Sequence, residues 1–279
     1  MSKTAESVEQ AKVQQTNQAP RVVQYDFSGK VALVTGATSG IGKATAIMFA
    51  RNGAKTVVAG RNKERGQAVI DQIKSEGGEA IFISVDMEDQ VEIKQMIDTT
   101  MQTWGRIDFA FNNAGISGRP ALTHETRLRD FREIIDVNLN SVFLSMKYEL
   151  EEMIKSGGGC IVNCSSYGGT HGVGGMSAYT ASKHAVIGLT KAAAVEYAKL
   201  GVRINAVCPG SVQTPLIEAL ADVAGEISAG TSEGQAEQPG MNRVGEPNEV
   251  AEVVMFLCSE ASSFVTGATV AIDGGMAAG

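Results

Sequence analysis

Seven short runs of β-branched and other apolar residues alternate with longer amphipathic segments from Lys30 onward. Most of these runs are continuously apolar, which is typical of strands covered on both faces. Strands of this kind, separated by helical segments, predict βαβ units and one doubly wound, seven-stranded parallel sheet in an α/β fold. The predicted strands are 31–35, 56–59, 80–85, 107–111, 160–164, 202–207 and 269–272.

Two of the intervening segments carry long apolar stripes. In residues 127–155 and 179–200, apolar side chains recur at three- and four-residue steps, which predicts helices. Such stripes can cover the sheet and still leave apolar surface, so these helices are the predicted contact surface between subunits. The alternative is that both stripes pack entirely inside one subunit.

Residues 25–279 show no internal repeat and no second composition, which predicts a single domain. Residues 1–24 are too polar to bury much surface and are expected to form a disordered arm. The net charge of −7 gives no sign of a basic face for nucleic acid or an anionic membrane. The expected partners are small molecules and other subunits, with no nucleic acid and no membrane.

Four cysteines lie inside apolar runs, without CxxC spacing or a neighbouring histidine pattern: Cys160, Cys164, Cys208 and Cys258. They are expected to be buried, reduced thiols, and no metal site is expected. The apolar segments are too short to span a membrane, and the N-terminal residues lack the apolar core of a signal peptide. These features together predict a cytoplasmic protein.

A glycine-rich segment, Thr-Gly-Ala-Thr-Ser-Gly-Ile-Gly, joins the first predicted strand to a helix. Glycines allow a sharp turn and a close approach of the backbone, while the helix N-terminus offers free N–H groups to a pyrophosphate. This position in a chain of βα units favours a dinucleotide site over a structural turn. The candidate residues are Gly36, Thr38, Ser39, Gly40, Ile41 and Gly42.

Tyr179 and Lys183 are four residues apart, so a helix brings their side chains to about 6 Å on one face. A cation at that distance favours phenolate and is expected to lower the pKa of Tyr179. The pair has the outline of a general acid/base. Taken alone, it is more typical of a solvated helix face.

The combination of motifs resembles the short-chain dehydrogenase/reductase family, in its compact single-domain branch. The resemblance covers residue 27 to the end of the sequence, and it implies a Rossmann-type fold, a nicotinamide cofactor and a homotetramer. Its motifs occur in family order: the glycine-rich segment, Asp86, Asn112-Asn-Ala-Gly115, Asn138, Ser166, Tyr179-Thr-Ala-Ser-Lys183, and Pro209-Gly210 with Thr214.

The resemblance implies four catalytic residues. Ser166 would orient a substrate carbonyl and Tyr179 would exchange the proton. Lys183 would tune Tyr179 and bind the nicotinamide ribose, and Asn138 would interrupt its helix and hold a relay water beside Lys183. By composition alone, Ser165 and Asn140 compete with Ser166 and Asn138.

The resemblance also implies contacts along the cofactor. Asp86 and the N–H of Met87 would bind adenine, although Asp86 could instead cap a helix. Asn113, Ala114 and Gly115 would leave room for the adenosine ribose. Pro209, Gly210, Val212 and Thr214 would contact the nicotinamide.

The end of the second strand should decide between the two dinucleotides. Gly60 stands where an NAD-specific carboxylate would lie, and Arg61 can form charged hydrogen bonds to a 2′-phosphate. NADP(H) is therefore favoured. NAD(H) remains possible if Arg61 only stacks on adenine.

The predicted substrate pocket is lined by Ser166, Tyr167, His171, Val173, Met176, Leu216 and Ile217, with residues 214–242 as a mobile lid. No Arg or Lys occurs between Thr214 and Met241, which favours a neutral ketone or alcohol, although Arg119 or Arg243 could approach the mouth. The predicted activity is interconversion of a ketone and a secondary alcohol. The alternatives are an NAD-dependent alcohol or sugar dehydrogenase of the same fold and, more remotely, a nicotinamide-sensing regulatory protein.

Overall fold

All seven predicted strands form and join one parallel sheet in the computed structural model, which describes residues 24–217 and 240–278. The order along the sheet is β3-β2-β1-β4-β5-β6-β7. The chain therefore builds outward from β1 to β3 and returns to place β4 beside β1, which creates a switch point between these two strands. The bounds are β1 Val31–Thr35, β2 Lys55–Gly60, β3 Ala80–Ser84, β4 Phe109–Asn112, β5 Gly159–Cys164, β6 Val202–Pro209 and β7 Thr269–Ile272.

The fourth strand begins two residues later than the sequence predicts. Asp108 directly precedes this strand, and its buried carboxylate accepts the N–H of Val31 at 2.9 Å. Arg106 and Lys30 form ion pairs with the same carboxylate. This residue therefore fixes the entry to β4 against the start of β1.

Helices cover both faces of the sheet, as continuously apolar strands require. Their bounds are α1 Gly40–Arg51, α2 Lys63–Ser75, α3 Gln90–Trp104, α4 Leu128–Ile135, α5 Ser141–Lys155, α6 Ser177–Tyr197 and α7 Pro247–Cys258. A π-helical segment, Asp136–Asn140, joins α4 to α5. The predicted helix over residues 127–155 is thus nearly continuous, with a single bulge centred on Asn138.

The predicted apolar stripes mainly face inward. On α5, Val142, Met146, Leu150 and Met153 belong to the core cluster that packs beneath β1, β4 and β5. Apart from Phe131, which belongs to the predicted stripe, the large apolar side chains exposed on α4, α5 and α6 lie outside it, namely Leu128, Phe143, Ile154 and Val195. Most of each stripe is therefore internal packing, and the surface available to a partner lies beside it.

Two of the sequence expectations lie outside the described residues. The predicted arm falls there except for residue 24, as does most of the predicted lid, residues 218–239. The segments that flank the predicted lid meet, because Val212 and Gly245 form a parallel β-bridge. None of the helices described has the length and apolar character needed to cross a membrane.

Candidate active site

A cavity of about 830 Å³ lies at the carboxyl ends of the strands, around the switch point. This is where open α/β sheets bind ligands. Three predicted site residues, Gly42, Asn138 and His171, do not line the cavity. The predicted residues that do line it are Gly36, Thr38, Ser39, Gly40, Ile41, Arg61, Asp86, Met87, Asn113, Ala114, Gly115, Ser166, Tyr167, Val173, Met176, Tyr179, Lys183, Pro209, Gly210, Val212, Thr214, Leu216 and Ile217.

The glycine-rich segment requires its glycines for close packing. Gly36 has a φ of +64°, and a Cβ there would lie 2.9 Å from the Ala114 Cα. A Cβ on Gly42 would lie 2.4 Å from the Gly36 carbonyl oxygen, so Gly42 supports the loop from behind. Any side chain at either position would push the loop out of shape.

The N-terminus of α1 opens into the same cavity and suits an anion. Ser39, the N-cap residue, makes no side-chain capping bond, and the first turn contains no acidic residue. The free N–H groups and the positive end of the helix dipole thus point toward the ligand space. These features, together with the close-packed glycines, fit a dinucleotide pyrophosphate.

Asn113 fixes the glycine-rich loop rather than merely leaving space. Its side-chain amide donates to the carbonyl of Thr35 at 3.0 Å, and its backbone N–H donates to the Thr35 hydroxyl at 3.0 Å. The N–H of Ala114 reaches the same hydroxyl at 3.2 Å. The end of β4 is therefore tied to the end of β1 across the switch point.

Asp86 does not cap a helix, which removes the structural alternative for this residue. The cap of α3 is Asp89, whose carboxylate accepts from Val91 N and Glu92 N. The carboxylate of Asp86 accepts only the N–H of Glu88, at 3.1 Å, among the described residues. The N–H of Met87 has no acceptor within the described part of the chain. Asp86 and Met87, the two predicted adenine contacts, both line the cavity.

Two guanidinium groups border the end of the cavity beyond β2. Arg61 is exposed there, as predicted, and Arg65 in the first turn of α2 lines the same wall. Sequence reasoning missed Arg65, although its spacing from Arg61 on a helix that begins at Lys63 could have indicated it. This end of the cavity therefore carries two positive charges around Gly60.

Tyr179 and Lys183 lie on one face of α6, as their spacing predicts. The Lys183 Nζ is 5.7 Å from the centroid of the Tyr179 ring. Lys183 is only 3% exposed and donates to the Cys164 carbonyl at 2.8 Å. Burial lowers the pKa of this lysine. The ammonium thus lies beside the phenol ring, anchored to the end of β5.

The predicted lowering of the Tyr179 pKa is not found. Burial raises the pKa of Tyr179 to about 12, although its hydrogen bond with Ser166 acts in the opposite direction. The reason is that burial destabilises the phenolate more strongly than the neighbouring hydroxyl stabilises it. With the residues of this chain alone, Tyr179 is a neutral phenol at neutral pH.

The two serines at the end of β5 have separate contacts. Ser165 is buried, and its hydroxyl donates to the Lys183 carbonyl at 2.9 Å. Ser166 accepts the N–H of Gly168 at 3.1 Å, and its side chain is the group that lowers the pKa of Tyr179 against the larger effect of burial. Ser166 is thus the serine that faces the phenol, whereas Ser165 ties β5 to α6.

Asn138 is fully buried in the π-helical segment, while Asn140 is exposed and bonds to Asp136. The Asn138 side chain exchanges two hydrogen bonds with the backbone of Ile116, at 2.8 and 2.9 Å. Its amide also donates to the Ser182 hydroxyl at 3.1 Å. Asn138 therefore joins the loop after β4 to α6, directly beside Lys183.

The other half of the cavity is largely apolar. Val173, Met176, Leu216 and Ile217 line it as predicted, together with Tyr167. His171 lies outside the lining, because its ring stacks on that of Tyr167 with 4.4 Å between centroids. Met276, which follows β7, also lines the cavity and was missed by sequence reasoning.

No group of three or more His, Cys, Asp or Glu in residues 24–217 and 240–278 is arranged to hold a metal ion. The four cysteines are buried and free.

Comparison with known proteins places these features in context. A family model described as enoyl-(acyl carrier protein) reductase matches residues 36–277. The chain is 42% identical over 254 residues to a cyclohexanol dehydrogenase from Acinetobacter sp. (strain SE19), covering 91% of this chain and 97% of the relative.

Solved structures share the fold over nearly the whole described domain. A levodione reductase superimposes with a TM-score of 0.86 at 36% identity, covering 90% of this chain and 99% of that one. A 7α-hydroxysteroid dehydrogenase in complex with NADH and 7-oxo glycochenodeoxycholic acid gives a TM-score of 0.81 at 30% identity, with coverage of 90% and 95%. The sheet and the helices that cover it thus belong to one family of folds.

Proposed function

The chain belongs to the short-chain dehydrogenase/reductase family and is an oxidoreductase acting on CH–OH and C=O groups; on this premise we propose that it interconverts a neutral ketone and a secondary alcohol, with NADP(H) favoured. One observation carries the proposal. A single cavity contains both the free N-terminus of α1 and the Ser166–Tyr179–Lys183 group. The pyrophosphate site and the proton donor are therefore within reach of one bound dinucleotide.

The bound nicotinamide would supply or accept the hydride at the carbonyl carbon. Ser166 donates a hydrogen bond to the carbonyl oxygen and aligns it with the Tyr179 hydroxyl. Tyr179 gives its proton to that oxygen as the alcohol forms, and its pKa of about 12 keeps this proton available at neutral pH. Oxidation requires the opposite state, a phenolate that accepts the alcohol proton.

Lys183 and Asn138 act behind the reacting groups. A buried ammonium beside the phenol ring stabilises the phenolate that remains after proton transfer. The same ammonium is suited to hydrogen-bond the nicotinamide ribose. Asn138 holds the loop after β4 and α6 at a fixed separation, so it positions Lys183.

The substrate class follows from the charges around the cavity. Among the described lining residues, the charged side chains are Arg61, Arg65, Asp86 and Lys183. The first three belong to the end beyond β2 and β3, which leaves Lys183 in the half lined by Val173, Met176, Leu216 and Ile217. Arg243 pairs with Glu249 rather than reaching the cavity lining. A neutral, apolar ketone suits this surface better than an anionic one.

Purified protein mixed with NADPH or NADH and a panel of cyclic ketones, diketones and oxosteroids tests this function by the loss of nicotinamide absorbance. Turnover of neutral ketones is expected. Tight binding of either dinucleotide without turnover of any carbonyl class would favour a nicotinamide-sensing protein instead.

Cofactor preference is expected to depend on Arg61. Replacing Arg61 with Ala removes a charged partner of the 2′-phosphate, so kcat/KM with NADPH should fall about tenfold or more, with little change for NADH. Lys63→Ala is the matched control, because Lys63 is exposed on the same turn and does not line the cavity. A wild-type preference for NADH that survives in Arg61→Ala contradicts the assignment. NAD(H) is the alternative cofactor, and the solved relative in complex with NADH makes that comparison necessary.

We also propose that the chain forms a homodimer or homotetramer through α4, α5 and α6. Phe143 is 52% exposed and Val195 is 82% exposed, and both lie on these helices. Analytical ultracentrifugation of the wild type and Phe143→Glu measures the mass of the assembly directly.

Cytoplasmic location is likewise proposed, because buried free thiols suit a reducing compartment.

A further inference from the structure

The turn that follows β7, residues 273–278, reaches the cavity from the edge of the sheet opposite the two arginines. The sheet order separates β2 and β3, which carry Arg61 and Asp86 at their ends, from β7 by four or more strands. Met276 in this turn lines the same cavity. It therefore belongs to the half that faces the substrate and not to the half that holds the adenosine end of the dinucleotide.

Asp273 fixes the shape of this turn. Its carboxylate accepts the N–H groups of Gly275 and Ala277, each at 2.9 Å. The turn also needs glycine at 274 and 275, where φ is +64° and +86°. Met276 is consequently held on a defined backbone and does not hang from a loose end.

Two neighbouring segments hold the turn in place. The N–H of Gly210 donates to the Ile272 carbonyl at 3.0 Å, and a Cβ on Gly210 would lie 2.8 Å from the Asp273 Cβ. On the other side, the N–H of Met241 donates to the Gly274 carbonyl at 2.9 Å. The turn thus lies between the end of β6 and the segment that returns from the predicted lid.

We propose that Met276 is a specificity-determining residue that limits the size of the ketone by forming the wall of the substrate half away from Tyr179. This inference rests on the proposed function. A thioether on a fixed turn offers apolar contact to a single ring and occupies the space that a second ring would need. The side chain takes no part in proton or hydride transfer.

The test compares a one-ring ketone, cyclohexanone, with a two-ring ketone, 2-decalone, in the intact chain. Met276→Ala is expected to raise the ratio of kcat/KM for 2-decalone over cyclohexanone about tenfold or more, the effect of one or two methylene groups in an apolar pocket. Met276→Phe is expected to lower that ratio. Met241→Ala is the matched control, since Met241 is 68% exposed, lies outside the cavity lining and contributes only its backbone to the turn.

Asp273→Ala provides a second variant that leaves Met276 in the sequence. Loss of the two acceptors should loosen the turn and move the ratio in the same direction as Met276→Ala, with nucleotide affinity unchanged. A general loss of folding would instead lower turnover of both ketones equally, which a melting temperature distinguishes.

The outcomes separate this inference from the proposed function. If the wild type reduces both ketones and Met276→Ala leaves their ratio unchanged, the role of Met276 is overturned while the function stands. If no ketone is turned over, the proposed function fails. The Kd values of 2-decalone and cyclohexanone, measured by calorimetry in the wild type and in Met276→Ala, then test the role of Met276 through their ratio. A shifted ratio of Kd values then supports the wall, and an unshifted ratio rejects it.

Discussion

Replacing Tyr179 with Phe should lower kcat about a thousandfold while the dinucleotide binds as in the wild type. A positioned general acid contributes roughly 10²–10⁴ to a rate, and Phe keeps the ring while removing only the hydroxyl. Ser166 then remains as the single donor to the substrate oxygen. Steady-state kinetics and nucleotide binding by fluorescence, on the same preparations, measure both quantities.

Tyr167→Phe is the matched control for this variant. Tyr167 lines the same cavity, follows Ser166 directly and stacks on His171, so this variant removes a tyrosine hydroxyl from the same cavity. Only a small change in kcat is expected. Equal losses in both variants would mean that the cavity tolerates no tyrosine substitution, and the assignment of the proton to Tyr179 would then lack support.

The raised pKa of Tyr179 gives this assignment a second readout. With a pKa of about 12, Tyr179 contributes no tyrosinate absorbance at about pH 10, where exposed tyrosines titrate. Spectra of the nucleotide-free wild type and Tyr179→Phe should therefore change in parallel up to that pH. A tyrosinate signal near neutral pH that is absent from Tyr179→Phe would show that Lys183 dominates over burial. Repeating the titration with the oxidised dinucleotide, which carries a positive charge on its ring, should move the pKa downward.

The fold follows from the sequence because each strand is specified locally. Continuous apolar runs separated by helical segments leave few arrangements besides a covered parallel sheet, and strands β1 and β7 match the predicted bounds residue for residue. The spacing of Tyr179 and Lys183 is likewise a local property of α6. The start of β4 was harder to predict, since Asp108 fixes it through a contact with Val31, 77 positions away.

Properties that depend on the surroundings of a residue in the fold could not be predicted from the sequence. The helical period gives the distance between Tyr179 and Lys183, but the direction of the pKa shift depends on how much water the fold excludes. Met276 and Arg65 reach the cavity from elements that carry no recognised motif. A general rule would have helped with Met276, because every segment that follows a parallel strand begins at the same edge of the sheet.

A buried carboxyl group on α5 is the clearest case in which pattern and chemistry disagree. Glu149 occupies a core-facing position, between Met146 and Met153, and it is fully buried. Its Oε2 accepts from the Asn112 amide at 3.0 Å, and that amide also reaches Asn163 Oδ1 at 3.1 Å. Helical spacing alone indicates a buried position, whereas the charge of glutamate argues for solvent.

Burial resolves this disagreement by changing the protonation state. It raises the pKa of Glu149 from 4.5 to about 8, against the smaller opposing effect of the Asn112 hydrogen bond. The carboxyl is therefore protonated at neutral pH, and its proton can serve as a donor. Asn112 Oδ1 and Ser145 Oγ are buried without a hydrogen-bond partner among the described residues, so acceptors lie in the same region.

Glu149→Gln should consequently stabilise the fold at alkaline pH relative to the wild type. Between about pH 4.5 and 8 the unfolded chain releases the Glu149 proton while the folded chain keeps it, so the stability from this group declines with rising pH. Each pH unit costs about 1.4 kcal/mol, up to about 5 kcal/mol across the window. Gln keeps an oxygen for the Asn112 amide and does not ionise, so its free energy of unfolding lacks this decline.

Urea unfolding of both proteins at several pH values between about 5 and 8 measures the effect as a difference that grows with pH in favour of Glu149→Gln. Glu151→Gln is the control, because Glu151 is exposed on the same helix, so its substitution should leave the pH dependence as in the wild type. A difference that stays constant with pH would mean that Glu149 ionises at the same pH in the folded and unfolded chain. The surrounding amides would then hold a buried carboxylate, and the missing donor for Asn112 Oδ1 would have to come from elsewhere. A growing difference instead identifies Glu149 as a neutral hydrogen-bonding residue, which explains how a glutamate occupies the apolar face that packs beneath the active-site strands.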